Sequence, residues 1–208
     1  MGDMGAIGID QGVGLYGIGT IALSIPTAYE EADHGVGVLA DGLDNTGDTG
    51  VLGYIGTFGD VKVNIEYDPS LDGGVQQAGG NGGVSTGTNY NYAVTYSGIE
   101  GFDVMLGAGK TNYKAAGAAD DTEQTGTVKY TMGALSAAYQ MSSIQSGTAS
   151  TAGETVESYG VAFNVNDNLS ISMGVNDNTS DTPSGVDVTE ESTSLQAAYT
   201  MGSASFRM

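Results

Sequence analysis

The chain has 208 residues, of which 35 are Gly and none is Cys or Trp, and its formal net charge is −20 at pH 7. This acidity argues against nucleic acid as a partner, because nucleic-acid-binding surfaces are basic. Apolar residues make up 39% of the chain, yet no run approaches the roughly 20 apolar residues of a membrane helix. A membrane-spanning form would therefore have to be a barrel. The lack of Cys permits an oxidising compartment without proving one.

The first fifty residues show no regular hairpin pattern. Met1-Gly2-Asp3 lacks the basic segment and apolar core of a secretory signal, so a signal has been removed or the chain begins partway through a longer protein. We favour the second explanation. Residues 12–48 are predicted to form one long irregular loop, with one strand around residues 14–25. Two interpretations stay open: the loop folds inward and narrows a lumen, or it is an ordinary surface loop.

Acidic residues are concentrated in this predicted loop. They are Glu30, Glu31, Asp33, Asp41, Asp44 and Asp48. The first three could hold calcium through carboxylate oxygens, but their spacing does not fit a known calcium loop, so a solvated acidic segment is favoured. The single histidine, His34, has no Cys or second His with which to build a conventional zinc or nucleophile site. We therefore predict no enzymatic activity and no cofactor.

Residues 51–208 repeat one unit, in which two alternating apolar/polar runs flank a short turn and a long polar loop follows. Five turns are predicted, at residues 59–60, 98–101, 133–134, 166–168 and 202–203. About ten strands are predicted between the loops. They cover residues 51–58, 61–68, 89–97, 102–110, 125–132, 135–144, 157–165, 169–176, 193–201 and 204–208. The pattern predicts an all-β, antiparallel, up-and-down hairpin meander.

Alternation along each run separates an apolar face from a polar face. In residues 61–68 one face carries Val, Val, Ile and Tyr, and the other carries Lys, Asn, Glu and Asp. Side chains alternate across a strand, so the two sets project to opposite sides of the sheet. A transmembrane barrel and a soluble β-sandwich both show this alternation.

Three features favour the barrel over the sandwich. The polar face is mostly small and uncharged, whereas exposed sandwich faces usually carry many charged residues. The predicted strands are close to the length that a tilted strand needs to cross the hydrocarbon. Phe58, Tyr96 and Phe102 lie beside the short turns, where an interfacial aromatic girdle would lie. The last run is short and an open edge is costly in hydrocarbon, so we expect the single barrel domain, residues 1–208, to be incomplete at both ends.

The chain resembles the general diffusion porins of Gram-negative outer membranes. The resemblance covers residues 1–208 and rests on the hairpin pattern and on local phrases at residues 57–63, 98–104 and 195–202. It implies a barrel of about 16 strands, of which about 10 to 12 would be present here, a homotrimer, and a constriction formed by the third extracellular loop opposite basic residues. The chain departs from the family in lacking a terminal aromatic residue and in having only 5 Lys and Arg.

The resemblance and the polar faces together predict a passive channel in the cell outer membrane. Small hydrophilic solutes and ions would be its partners, with outer-membrane lipid around it. The predicted pore-lining residues are Lys62, Glu66, Asp68, Asp103, Lys129 and Arg207. Because most acidic residues lie in the loops, we expect a modest cation preference. The alternative is that the acidic loops simply keep the outer surface soluble. The alternative function is a secreted structural or adhesive β-sandwich protein whose acidic loops bind a partner or calcium.

Overall fold

A computed structural model describes residues 4–10, 16–21, 24–29, 50–71, 87–114, 118–147, 153–182, 185–202 and 204–208. Their strands form one antiparallel sheet of 11 strands in which every neighbour in space is also the neighbour in sequence. In the described part of the chain, β1 pairs only with β2 and β11 only with β10. The architecture is therefore an up-and-down meander that corresponds to part of a barrel, as the sequence predicted.

The first four strands lengthen from 5 to 13 residues, the next six have 11 to 14 residues, and the last has 4. They are β1 Ala6–Asp10, β2 Val51–Phe58, β3 Val61–Leu71, β4 Gly87–Ile99, β5 Phe102–Tyr113, β6 Asp121–Met132, β7 Leu135–Gln145, β8 Gly153–Asn166, β9 Leu169–Asp181, β10 Val188–Met201 and β11 Ala204–Arg207. One 3-10 helix, η1, covers Ile18–Ile21. No described helix is long and apolar enough to cross a membrane.

Five short turns join the strands at one edge of the sheet, the short-turn rim. Gly59, Gly101, Gly133 and Gly202 have φ between 58° and 79° in four of these turns, a conformation that residues with a Cβ rarely adopt. The other strand ends lie at the opposite edge, the long-loop rim. Two turns are tighter than predicted, because β-bulges between Tyr96 and Ile99 and between Asn164 and Asn166 take up the extra residues.

The sequence-based bounds were wrong mainly at the long-loop rim. Strands β3 to β10 extend there by one to five residues beyond the predicted ends, into Asp-, Asn-, Ser- and Thr-rich stretches. The cross-strand ladder stabilises these polar stretches as strand, although their composition favours loops. The strand predicted around residues 14–25 was also wrong: η1 lies there, and the first strand is Ala6–Asp10.

Burial is inverted relative to a soluble protein. On β3, Asn64, Glu66 and Asp68 are 1–2% exposed, whereas Ile65 and Tyr67 between them are both 43% exposed. The same alternation continues to β10, where Ser192 and Gln196 are buried and Leu195 is 80% exposed. We call the covered side the polar face and the other side the apolar face. A sandwich would bury this face in a dry core, whereas an exposed apolar face suits contact with lipid.

Aromatic side chains mark the apolar face beside the short-turn rim. The three predicted girdle residues, Phe58, Tyr96 and Phe102, are 39–48% exposed there. Phe102 packs on Tyr130 of the next strand with ring centroids 4.4 Å apart. Phe163, Tyr199 and Phe206 continue the band across β8, β10 and β11. Such a band suits the headgroup level of a bilayer, where one end of the ring is apolar and the other is wet.

A lysine on the apolar face should destabilise the protein more than a lysine on the polar face. Val161 and Ala162 are neighbours on β8 that project to opposite faces. We expect Val161→Lys to lower the free energy of unfolding by about 2 kcal/mol or more, because an ammonium group is costly in hydrocarbon. Ala162→Lys, the matched control, should cost much less. Urea unfolding in phospholipid vesicles, followed by circular dichroism, checks this, and equal losses would mean that the faces are misassigned.

Candidate pore wall and the segment that crosses it

Short polar side chains cover the polar face in adjacent pairs. Asn89 Nδ2 donates to Thr111 Oγ1 at 2.8 Å, joining β4 to β5, and Thr125 Oγ1 lies 2.8 Å from Ser142 Oγ, joining β6 to β7. Ser158 Oγ donates to Asn176 Oδ1 at 3.1 Å, joining β8 to β9. These buried groups satisfy one another across the strands, which offsets the cost of removing them from water. The polar face is therefore an ordered hydrogen-bonding surface.

The six predicted pore-lining residues all lie on the polar face by strand register. Lys62, Glu66 and Asp68 alternate with outward residues along β3. Asp103 of β5 pairs with Lys129 of β6. Arg207 of β11 pairs with Ala198 of β10. Asp103 accepts a hydrogen bond from Ser97 Oγ at 2.5 Å. The predicted loop acids Glu30, Glu31, Asp33, Asp41, Asp44 and Asp48 lie outside the described residues, as do the calcium site suggested for them and His34.

One stretch of chain lies against the polar face without joining the sheet. This crossing segment comprises residues 16–29, of which residues 16–21 and 24–29 are described. At its start, Gly17 N donates to Asn64 Oδ1 at 3.0 Å and Ile18 N donates to Asn91 Oδ1 at 2.7 Å. Asn64 Nδ2 also donates to Thr20 Oγ1 at 3.1 Å. Side-chain amides of β3 and β4 thus take the place of a neighbouring strand for this backbone.

Further strands hold the second half of the crossing segment. Ser24 N donates to Gln140 Oε1 of β7 at 2.8 Å, and Ala28 N donates to Ser172 Oγ of β9 at 2.8 Å. Tyr29 N donates to Gln196 Oε1 of β10 at 3.4 Å. The guanidinium carbon of Arg207 lies 5.8 Å from the centroid of the Tyr29 ring, within the range of a cation–π contact. The crossing segment therefore spans the polar face from β3 to β10.

Glycine allows the crossing segment to approach the sheet closely. Gly17 has φ of 71°, a conformation in which a side chain is strained. A Cβ at Gly107 of β5 would lie 2.7 Å from Ile18 Cγ1 and 3.1 Å from Ile21 Cδ1. Ile18 is fully buried and Ile21 is 6% exposed. The two isoleucines thus pack on bare backbone, which adds an apolar contact to the amide hydrogen bonds.

The crossing segment runs obliquely to the strand register. Following paired residues strand by strand from Asn64 leads to Glu190 on β10. The contact residue on β10 is instead Gln196, six residues nearer the short-turn rim. Barrel strands are tilted, so a segment that lies level across the barrel must change register as it passes from strand to strand. A stagger between the segment's contacts and the strand register is the kind of displacement that strand tilt produces.

The residues that bind the crossing segment were not predicted from the sequence. Asn64, Asn91, Gln140, Ser172 and Gln196 have no charge and form no motif. The sequence signal that could have revealed four of them is the presence of bulky amides among mostly small polar-face residues; in the structure each of these amides is 6% exposed or less. A buried amide needs partners, and a backbone segment is one of the few that can supply them.

One ion pair lies away from the polar face. Lys110 projects from the apolar side of β5, and its Nζ lies 2.8 Å from Asp120 Oδ2, just before β6. The hydrogen bond from Lys110 holds the pKa of the Asp120 carboxyl below its usual range. Asp120 therefore keeps its charge to lower pH than an ordinary aspartate. Among described residues, no group of three or more His, Cys, Asp or Glu side chains is arranged to hold a metal ion.

Comparison with known proteins places this geometry in a family. A family model for the Gram-negative porin matches residues 2–205. The chain belongs to the Gram-negative porin family. A solved porin structure, refined at 1.8 Å, matches with a TM-score of 0.63 and 17% identity, over 99% of this chain and 71% of that chain. At this identity the structural likeness supports the fold alone. No curated protein sequence matched the chain.

Family membership identifies the membrane in which this sheet lies and the kind of channel that it forms. As a porin, the protein forms a water-filled channel in the outer membrane, through which small hydrophilic solutes and ions diffuse. Its exposed apolar face suits the lipid environment of this membrane. The predictions of a porin, of an antiparallel up-and-down barrel fold and of an outer-membrane location are confirmed.

Loss of one anchoring amide should loosen the crossing segment of the porin. Gln140→Ala removes the acceptor of Ser24 N and leaves that amide without this partner, at a cost of about 1–3 kcal/mol. We expect amide exchange in residues 24–29 to accelerate by about tenfold or more, as measured by hydrogen–deuterium exchange mass spectrometry.

Gln124→Ala is the matched control for this measurement. Gln124 lies one strand away on the apolar side and bonds to Ser143 Oγ. Its loss should leave exchange in residues 24–29 unchanged. Equal exchange in wild type and Gln140→Ala would contradict the anchoring role.

Proposed function

We propose that the polar face lines the pore and that the crossing segment narrows it. Hydrogen bonds from Gly17, Ile18, Ser24, Ala28 and Tyr29 to polar-face side chains are the observation that carries this proposal. Backbone outside a ladder is tolerated at membrane depth only inside a protein or beside water. A segment held across the inside of a barrel reduces its free cross-section, so it sets the size limit for solutes.

The pore wall in this proposal includes the six charged residues predicted from sequence. Lys62, Asp103, Lys129 and Arg207 lie near the short-turn rim, and Glu66 and Asp68 lie toward the long loops. Around them the wall is mostly Asn, Gln, Ser and Thr, which can replace water as hydrogen-bond partners for a passing solute. Selection would then depend on pore width and wall charge, and passage would require no chemical step.

We infer a modest cation preference and a homotrimeric assembly. The net charge of −20 comes from 25 acidic and 5 basic residues, and most acids lie in loops and at strand ends. Carboxylates near a pore mouth raise the local concentration of cations, but screening over about 8 Å at physiological salt limits the effect. The trimer is an expectation from the porin family.

Planar-bilayer recording of the complete porin tests the channel proposal. We expect stepwise openings in groups of three, and a reversal potential of cation-selective sign that stays well below the ideal value in a salt gradient. The preference should weaken in concentrated salt, since the Debye length falls to about 3 Å at 1 M. Absence of conductance would contradict channel formation, and a reversal potential of anion-selective sign would contradict the cation preference.

Releasing the crossing segment should widen the channel. In the double variant Asn91→Ala/Gln140→Ala, the acceptors of Ile18 N and Ser24 N are both lost. We expect single-channel conductance to rise by about half or more, with larger current fluctuations, because the constricting segment no longer keeps one position. Vesicle swelling with sugars of increasing size gives an independent measure of the size limit.

Gln124→Ala is again the control, because Gln124 lies on the apolar side and bonds only to Ser143 in the described contacts. It should conduct like wild type. Unchanged conductance in the double variant, together with faster amide exchange in residues 16–29, would show that the crossing segment does not limit the pore.

A further inference from the structure

Carboxylates occupy the polar face on the long-loop side of the crossing segment. Glu66 adjoins the crossing segment directly, since a Cβ at Gly17 would lie 2.7 Å from Glu66 Cβ. The other acids on this side lie further toward the long-loop rim. They are Asp68 on β3, Asp121 and Glu123 on β6, Glu154 on β8 and Glu190 on β10. Across β3 to β10, this part of the polar face carries these six acids and no Lys or Arg.

Neighbouring contacts fix several of these carboxylates in place. Asp121 accepts hydrogen bonds from Tyr113 Oη at 2.9 Å and from Gly147 N at 3.0 Å. Glu66 Oε1 accepts from Asn91 Nδ2 at 3.2 Å, and Glu154 accepts from Asn178 Nδ2. The acidic zone is therefore part of the ordered wall.

Basic residues occupy the opposite side. Lys62 lies two residues from Asn64, toward the short-turn rim. Lys129 pairs with Ala138, which lies two residues beyond Gln140 in the same direction. Arg207 pairs with Ala198, two residues beyond Gln196. Each of the three bases thus lies level with the next polar-face residue, toward the short-turn rim, after one that binds the crossing segment.

Few acids oppose this basic zone on the wall. Among the described residues, Asp103 is the one acid on this part of the polar face. Asp60, Glu100 and Asp167 lie in the turns themselves, at the exposed rim, where screening by solvent is strongest. Lys110 projects from the apolar side, and Lys114 follows β5 at the long-loop rim, so neither belongs to the basic zone.

We propose that this porin conducts asymmetrically, because acidic and basic wall zones lie in series along the pore and meet at the crossing segment. An acidic zone is filled mainly by cations and a basic zone by anions. A voltage that is positive on the long-loop side drives both kinds of ion toward the junction and raises conductance. The opposite voltage drives both away and lowers it. The inference rests on the proposed position of the polar face as the pore wall.

Single-channel recordings at equal and opposite voltages test this proposal in the complete porin. In about 0.1 M KCl, where the Debye length is about 10 Å, we expect conductance about 1.5-fold higher when the long-loop side is positive. In about 1 M KCl the ratio should approach one. Because the chain has no Cys, the Val186→Cys variant provides a single thiol in an exposed connection, Val186 being 85% exposed. A bulky, impermeant thiol reagent added to one chamber then identifies the long-loop side.

Neutralising the basic zone should remove the asymmetry. In Lys62→Gln/Lys129→Gln the ratio should fall to about one in dilute salt, and the cation preference should increase. Lys110→Gln is the matched control, since it removes one lysine from the apolar side of the same sheet, and its ratio should equal that of wild type. Arg207→Gln, on the exposed strand β11, provides a second variant if the double variant does not fold.

Each outcome separates the two proposals. A conducting wild-type channel with symmetric currents in dilute salt would overturn the asymmetry while leaving the channel function intact. A ratio that is equal in wild type and in the folded basic-zone variants would overturn the assignment to these residues. Absence of conductance in wild type would overturn the proposed function and, with it, this inference.

Discussion

The structure depends on one constraint: in hydrocarbon, every backbone N–H and C=O must find a partner within the protein. An unpaired group there costs several kcal/mol, so a continuous antiparallel ladder is the solution open to a chain whose sequence has no apolar run long enough for a membrane helix. Neighbouring strands pair from β1 to β11 without interruption in the described residues. Once the pairing of the strands is fixed, the alternation of side chains along each strand determines the face to which every residue projects. Ile65 and Tyr67 must project outward if Asn64 and Glu66 project inward.

The same constraint explains how the crossing segment is held. Its backbone has no strand partner, so its amides need acceptors from side chains, and the polar face provides Asn, Gln and Ser at the required positions. An amide side chain suits this role because it accepts from the segment and can donate to the wall. Gln140 accepts from Ser24 N while its Nε2 donates to Thr125 at 3.2 Å and to Ser142 at 3.4 Å. Wall and segment therefore form one connected network.

Sequence periodicity predicts the sheet much better than it predicts the contacts between the crossing segment and the polar face. The two-residue alternation and the turn glycines at 59, 101, 133 and 202 depend on local rules, so the faces and most turns followed from them. The strand ends at the long-loop rim could not be predicted from these local rules. A stretch such as residues 188–192 has loop-like composition and becomes strand only because it pairs with β9. The hydrogen bonds between residues 16–29 and the side chains of the polar face join residues that are 44 to 167 positions apart in sequence, and no local pattern encodes them.

Strand tilt determines how far along the pore axis each residue of the wall lies. Lys62 and Arg207 are far apart in sequence and lie in different register rows, and their common level follows only from the oblique path of the crossing segment. Distance to the narrowest part decides how strongly a charge acts on an ion, since screening removes most of the effect beyond about 10 Å in dilute salt. In the proposed channel, the charged wall residues beside the crossing segment therefore act more strongly on ions than distant loop carboxylates do, and the net charge of −20 alone does not define the selectivity.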